Sequence, residues 1–354
     1  MTQTPDCSDI LAAVSTPTSL RAPSLQGGQI KRSPNGKITR YTGEFCMVFP
    51  MVLADNRKVA LRCWHADVSQ MPERSRVISE YLTKVQLPYF VDFHYEPDGL
   101  LCSQGLQPII IMDWAEGVPL KDYLETHLDK RSLETLARNF VEMCNNLHDN
   151  KIAHGDLQHV NILVKDNGEL LLVDYDSMFV PGLEGYSDEI KGLPGYQHTA
   201  RWSNPYLSEK ADYFSELIIY TSIMALSVDP ALWAKLQMES TDYLLFSEED
   251  LASKERYEIF SLLNRSDEFR YLSEKIVEFL ELPSIEQLSP LESVVTPPPT
   301  LGDAISKKWK TGNGFVQSPP VSVDIDTIMG KTKNRPKVDS TPSKPTIDDI
   351  TNKW

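Results

Sequence analysis

The chain has 354 residues, 41% of them hydrophobic and 24% charged, an ordinary balance for a soluble globular protein with room for one large domain or two moderate ones. Its formal net charge of −15 argues against broad nucleic-acid binding and against attraction to an anionic membrane surface. The five cysteines (Cys7, Cys46, Cys63, Cys102 and Cys144) lie far apart without a C-x-x-C, so neither a zinc site nor a disulfide framework is expected, only thiols in a reducing compartment.

Residues 1–36 are rich in Ser, Thr, Pro and Gly and read as a flexible N-terminal arm, with a short helix possible from Ser8 or Asp9 to Val14. They show neither a basic start nor an apolar run of signal length, and the most apolar segment, 217–227, is too short to span a bilayer; a cytoplasmic protein is expected. Tyr41–Val48, Lys58–Trp64, Pro88–Tyr95 and Pro108–Met112 are short β-type runs separated by turn residues. Between them, Val77, Ile78, Tyr81, Leu82 and Val85 recur at helical spacing and predict a helix over Met71–Val85. From Leu120 the pattern turns helical. Helices are predicted at Leu120–His127, at Ser132–Leu147 with Ser132 as N-cap, at 211–227, and near 247–263 and 266–281.

The stretch 152–176 carries the chemistry. His154-Gly155-Asp156-Leu157-Gln158-His159-Val160-Asn161 runs into Ile-Leu-Val, and a second apolar run ends at Val173-Asp174-Tyr175-Asp176. Two carboxylates, Asp156 and Asp174, and one carboxamide, Asn161, thus stand at the ends of short apolar runs. Phosphoryl transfer needs such groups: a base for a hydroxyl and oxygen ligands for Mg²⁺. The bland alternative is a β-hairpin with polar ends.

The spacing resembles the catalytic loop H-R-D-L-x-x-x-N and the D-F-G of protein kinases, with Gly155 in place of the arginine and Asp176 in place of the glycine. The resemblance covers about residues 37–285. It implies an α+β, bilobal protein-kinase-like fold: a β-rich N-lobe with one helix over 37–115, and a larger α-helical C-lobe over 116–285. It implies ATP and Mg²⁺ as cofactors, Asp156 as base, and Asn161 and Asp174 as metal ligands. Val59-Ala60-Leu61-Arg62 resembles V-A-I-K, so Arg62 would meet the α/β-phosphates; a surface arginine is the alternative. Glu80 would pair with Arg62 as the helix glutamate does in kinases, with Glu73 as competitor. Tyr41–Val48 resembles the glycine-rich loop with only Gly43 kept, and Gly43 would let backbone approach the phosphates. Val48, Ala60 and Leu163 would sandwich adenine, and the backbone at Asp113 and Ala115 would meet its edge beyond Met112. Asp212 resembles the aspartate that bonds the catalytic-loop backbone, with a helix N-cap as alternative.

His-Gly-Asp-Leu-Gln-His, Val-Asp-Tyr-Asp and the Gly-Tyr-Gln-His of 195–198 resemble a bacterial protein-kinase-like branch of Ser/Thr kinases. A His-Gly-Asp loop also occurs in phosphotransferases of the aminoglycoside type. The expected function is an atypical Ser/Thr protein kinase with slow turnover. A pseudokinase scaffold and a small-molecule kinase are the alternatives. Without the loop arginine, control by phosphorylation of the following segment is not expected.

Residues 286–354 read as a disordered tail, rich in Ser, Thr, Pro, Lys and Asp after Pro290. Asp303–Trp309 resembles Asp348–Trp354, and Asp326–Lys331 is a shorter copy of the same D-x-I-x-x-K pattern. Chance in a biased segment is one reading; docking of a partner protein on these repeats is the other.

Overall fold

A computed structural model of the chain describes residues 4–43, 45–66, 70–252 and 257–295. The tail repeats lie outside the described residues. The protein has an N-lobe built on one curled antiparallel sheet and a larger helical C-lobe.

The N-lobe contains α1 (Cys7–Val14), β1 (Gln29–Ile30), β2 (Tyr41–Thr42), β3 (Cys46–Val52), β4 (Lys58–Trp64), α2 (Met71–Val85), β5 (Phe93–Cys102) and β6 (Gly105–Asp113). The sheet order is β1-β3-β4-β6-β5, with β2 pairing the other end of β3. Directly opposed residues share a face. Val48 opposes Arg62, Arg62 opposes Ile110, and Ala60 opposes Met112, so these five face the cleft together. Phe49, Leu61 and Ile111 form the matching row on the outer face.

That outer face is covered, which corrects the expectation of a flexible arm. Asp6 caps α1 by accepting from the Ser8 and Asp9 amides. Ile10, Ala13 and Val14, at helical spacing, then bury against Met47, Phe49, Leu61 and Ile109. Asp9 accepts from Ser103 Oγ at 3.0 Å and Gln104 Nε2 at 2.5 Å, tying α1 to the β5–β6 turn. Leu20 bridges Leu100, and Leu20, Ala22 and Leu25 complete the cover.

Two strand expectations shift. Tyr41–Val48 is a tight hairpin rather than one run, because the Gly43 amide turns back onto the Cys46 carbonyl at 2.9 Å. Pro88–Tyr95 becomes strand only from Phe93; Pro88 has no N–H to give, and the Phe90 amide closes a turn on Leu87.

The C-lobe contains β7 (Val118–Pro119), α3 (Leu120–Thr126), α4 (Lys130–Asp149), β8 (Ile162–Val164), β9 (Leu170–Leu172), α5 (Tyr213–Val228), α6 (Leu232–Lys235), α7 (Glu248–Ala252), α8 (Tyr257–Leu263), α9 (Asp267–Glu281) and α10 (Leu291–Val294). The cap of α4 is Asp129, whose carboxylate accepts from the Ser132 amide; Ser132 is its third residue, not its cap. Helix α5 is buried from Phe214 to Ser227, the arrangement of a helix that is apolar on every side. Strands β7, β8 and β9 form a small antiparallel sheet that carries the 152–176 stretch into the cleft. The boundary expected after 285 falls inside folded structure: Ile285, Leu288, Leu291, Val294 and Val295 are all buried in the same core.

Candidate active site

The loop between α4 and β8 is fixed from below. His154 is fully buried, and its Nε2 meets the Val173 carbonyl at 2.8 Å. The Asp212 carboxylate accepts from the backbone amides of His154 and of Gly155, the latter at 2.9 Å. It makes no capping bond to α5, so the first of its two expected roles is the one observed.

Gly155 has φ +80°, and a Cβ there would lie 2.0 Å from the Ser177 carbonyl oxygen. Its own carbonyl accepts from Arg201 Nη1. Arg201 is wholly buried, with Nε and Nη2 donating to Asp188 at 3.0 and 3.1 Å and Nη1 to Gln197 at 2.5 Å. The segment after Asp176 therefore bonds to the loop directly, without a phosphate.

Asp156 accepts from Gln158 Nε2 at 2.8 Å on both oxygens, from Asn161 Nδ2 at 2.9 Å, and from the Leu193 amide at 3.3 Å. Burial raises its pKa above the usual carboxylate range, and these donors pull the other way. Gly192 lies against it so closely that a Cβ would approach Asp156 Oδ1 to 2.3 Å.

Asp174 sits in a left-handed conformation, φ +67°, held by its neighbour. The Tyr175 hydroxyl donates to the Leu172 carbonyl at 2.9 Å and accepts from the Val91 amide at 3.2 Å, while its ring meets Phe90 edge-on at 5.5 Å. With Tyr175 anchored, Asp174 turns toward Arg62. Burial, then the nearby Asp176 charge, raises the Asp174 pKa to about 8. Its Oδ1 is buried without a hydrogen-bond partner. An orphaned carboxylate oxygen that resists ionisation fits a divalent cation, which would restore the charge balance. Asn161 spends its amide nitrogen on Asp156, which leaves its carbonyl oxygen as the atom that would serve a metal. Among the described residues no cluster of three or more His, Cys, Asp or Glu forms a complete metal cage. A Mg²⁺ on Asp174 and Asn161 would thus share its remaining ligands with phosphate and water.

Arg62 is 3% exposed. Its Nη2 donates to Asp176 Oδ2 at 2.6 Å and to Cys46 Sγ at 3.5 Å, and lies 3.8 Å from Asp174 Oδ1. The expected partner, Glu80, is not there. It is 65% exposed and pairs with Arg76 on the outer side of α2, as Glu73 does. Helix α2 instead turns Arg74, Ser75, Ile78, Ser79 and Leu82 inward, and Arg74 Nη2 donates to the Asp176 carbonyl at 2.7 Å.

Val48, Ala60 and Leu163 are all buried in one core cluster, and Met112 stands opposite Ala60 in the sheet. The Asp113 amide is taken by the Asp92 carbonyl at 2.9 Å and its carboxylate by Arg57 at 3.3 Å, so neither is open to the adenine edge expected there. The Ala115 amide has no backbone partner among the described residues. Gly43 spends its N–H on Cys46, and its carbonyl meets His65 Nε2 at 3.1 Å; its amide does not serve as a phosphate donor in this geometry.

Sequence reasoning noted Asp176 without giving it a role, and it assigned none to Arg201, Arg74 or Gly192. The Asp-x-Asp spacing of 174–176, which puts a second carboxylate beside a lone arginine, was the available signal.

The protein kinase domain family model matches residues 42–281. The chain is 26% identical over 182 residues to serine/threonine-protein kinase chk1 of Schizosaccharomyces pombe, covering 48% of this chain and 36% of that protein. It is 25% identical over 161 residues to serine/threonine-protein kinase Nek3 of Mus musculus, covering 44% of this chain and 30% of that protein. The chain spans about a third of the length of these relatives. Among the described residues no helix is long and apolar enough to cross a membrane.

Proposed function

Because this chain belongs to the protein kinase domain family, we propose that it is an ATP- and Mg²⁺-dependent phosphotransferase acting on Ser/Thr hydroxyls of a protein in the cytoplasm. Its His-Gly-Asp-Leu-Gln-His, Val-Asp-Tyr-Asp and Gly-Tyr-Gln-His motifs resemble those of the bacterial kinase-like branch and support that reading. One observation carries the proposal: Asp156, Asn161, Asp174 and Arg62 converge, with Asn161 Nδ2 2.9 Å from Asp156 and Arg62 Nη2 3.8 Å from Asp174.

ATP with Mg²⁺ supplies the transferable phosphoryl group and the charge neutralisation its transfer needs. Asp156 accepts the hydroxyl proton, its carboxylate held in place by Gln158 and Asn161. Asp174 and Asn161 would hold the metal, and Arg62 would present its guanidinium to the phosphates. Gln158 stands where a cationic donor would stabilise the developing charge, and the loop before β3 has lost two glycines. One lost donor costs about 10²–10³ in rate, so turnover is slow.

Phosphate incorporation from labelled ATP, compared between the wild type and the Asp156→Ala and Asp174→Ala variants, tests this. Label that depends on both aspartates supports the proposal; label indifferent to both would falsify it. ATP consumption that needs the aspartates but labels no protein points to a small-molecule acceptor. A second reading, a nucleotide-binding scaffold, is favoured by one feature: Leu193 and Gln158 already occupy both oxygens of Asp156. ATP binding without any aspartate-dependent transfer supports it. The partner suggested for that reading is a protein docked on the D-x-I-x-x-K repeats.

A further inference from the structure

Arg62 is a buried cation, and a buried cation needs a counter-charge. Helix α2, which packs against β5, offers none: its two candidate glutamates point outward and are spent on Arg76. The counter-charge comes from Asp176, two residues beyond the metal-binding Asp174, at 2.6 Å. Asp176 is itself held, since Arg74 of α2 donates to its carbonyl at 2.7 Å.

The geometry at the guanidinium shows what this arrangement leaves available. Among the described residues, the hydrogen bonds and ion pairs of the Arg62 guanidinium, to Asp176, Asp174 and Cys46, all use Nη2. Nη1 and Nε donate to nothing among the described residues. A guanidinium is a fork, so one prong can be pinned while the others stay available for a second anion. A lysine has no such division: its single ammonium would sit on the carboxylate.

Resting on the proposed nucleotide-dependent function, we propose that Asp176 is the positioning residue of the phosphate site. It holds Nη2 of Arg62 so that Nη1 and Nε face the polyphosphate of the nucleotide, a task that no acid of α2 performs. The replacements at positions 62 and 176 then belong together: arginine is needed because its counter-ion lies on the Asp174 side. The positioning carboxylate also travels with Asp174 rather than with α2. The metal ligand and the phosphate-binding cation are therefore set by one short segment, and a displacement of α2 does not by itself remove the counter-charge.

The experiment compares Mg²⁺-ATP and adenosine affinities by titration calorimetry for the wild type, Asp176→Asn, Asp176→Glu and Arg62→Ala, together with KM and kcat. The proposal expects Asp176→Asn to weaken ATP roughly ten- to a hundredfold, the weight of a charge-assisted hydrogen bond, and to leave adenosine unchanged. The loss should fall on KM more than on kcat, and Asp176→Glu should recover part of it. ATP affinity unchanged in Asp176→Asn but lost in Arg62→Ala overturns the proposal. Equal loss of ATP and adenosine in both Asp176 variants marks a merely structural role and also overturns it. A wild type that binds neither ligand overturns the functional reading and this inference with it, whereas a wild type that binds both isolates the test to Asp176.

Discussion

The backbone carbonyl of Ser177 fills the space that a side chain on Gly155 would need, 2.0 Å from where its Cβ would stand. The absence of an arginine before Asp156 is therefore a packing requirement of this chain. With φ at +80° as well, Gly155→Ala should cost about 2–4 kcal/mol. Urea unfolding checks this; a loss below about 1 kcal/mol would show that the two segments separate easily.

Arg201 and Asp188 form the buried ion pair that replaces such an arginine as a tie between the loop and the following segment. Arg201→Met strands the Asp188 carboxylate, leaving Lys191 at 3.6 Å as its ion-pair partner among the described residues. A destabilisation of about 3–5 kcal/mol is expected, with activity falling in step with the folded fraction. Thermal melts paired with activity measured well below the melting point separate the two effects.

Metal affinity should rise with pH. Without metal, Asp174 holds its proton up to about pH 8, chiefly because it is buried and then because Asp176 is near. A cation must displace that proton, so Mg²⁺ binds more tightly as pH rises from 6 toward 8 and releases a proton on binding. Calorimetry in buffers of different ionisation enthalpy reads the proton directly; no proton release at pH 6.5 would contradict the assignment.

His148 links α4 to α5 and α10, with Nε2 2.9 Å from Glu216 and Nδ1 2.9 Å from Glu292. Burial alone would lower its pKa, but the two glutamates outweigh it and raise it to about 9. A raised histidine binds its proton more tightly in the folded state. Its contribution is complete below pH 6.5, the unfolded value, and is lost as pH climbs through 9. The melting temperature should fall by roughly 3–6 °C between pH 7 and 9.5, and His148→Gln should flatten that slope.

Ile10 is fully buried between α1 and the sheet. Ile10→Ala should cost about 2–4 kcal/mol. A neutral effect in denaturant titration would mean that the N-terminal segment is only loosely laid on the lobe.

The lobe order, the 71–85 helix and the placement of Asp156, Asn161 and Asp174 were legible because each rests on local pattern: period two in Lys58–Trp64, helical spacing in α2, polar residues at the ends of apolar runs. The partner of Arg62 was not legible. On a helix, Glu80 and Arg76 are one turn apart and satisfy each other, a local pairing that wins over the long-range one borrowed from the resemblance. The cover over the outer sheet was hidden for another reason. Its Ser, Thr and Pro residues dominate the composition, while the few apolar residues that matter, Ile10, Ala13, Val14, Leu20 and Leu25, are spread thinly between them.

That cover also sets an order of events during synthesis. The apolar side of α1 finds its partners on strands that end a hundred residues later, at Leu100, Cys102, Ile109 and Ile111. Until β6 has left the ribosome, α1 has only the β3 and β4 part of its cover to close on, and its greasy face stays partly open to chaperones and to neighbouring chains. The N-lobe therefore completes itself from both ends at once, and α1 is fully locked in place only after β6, made about a hundred residues later.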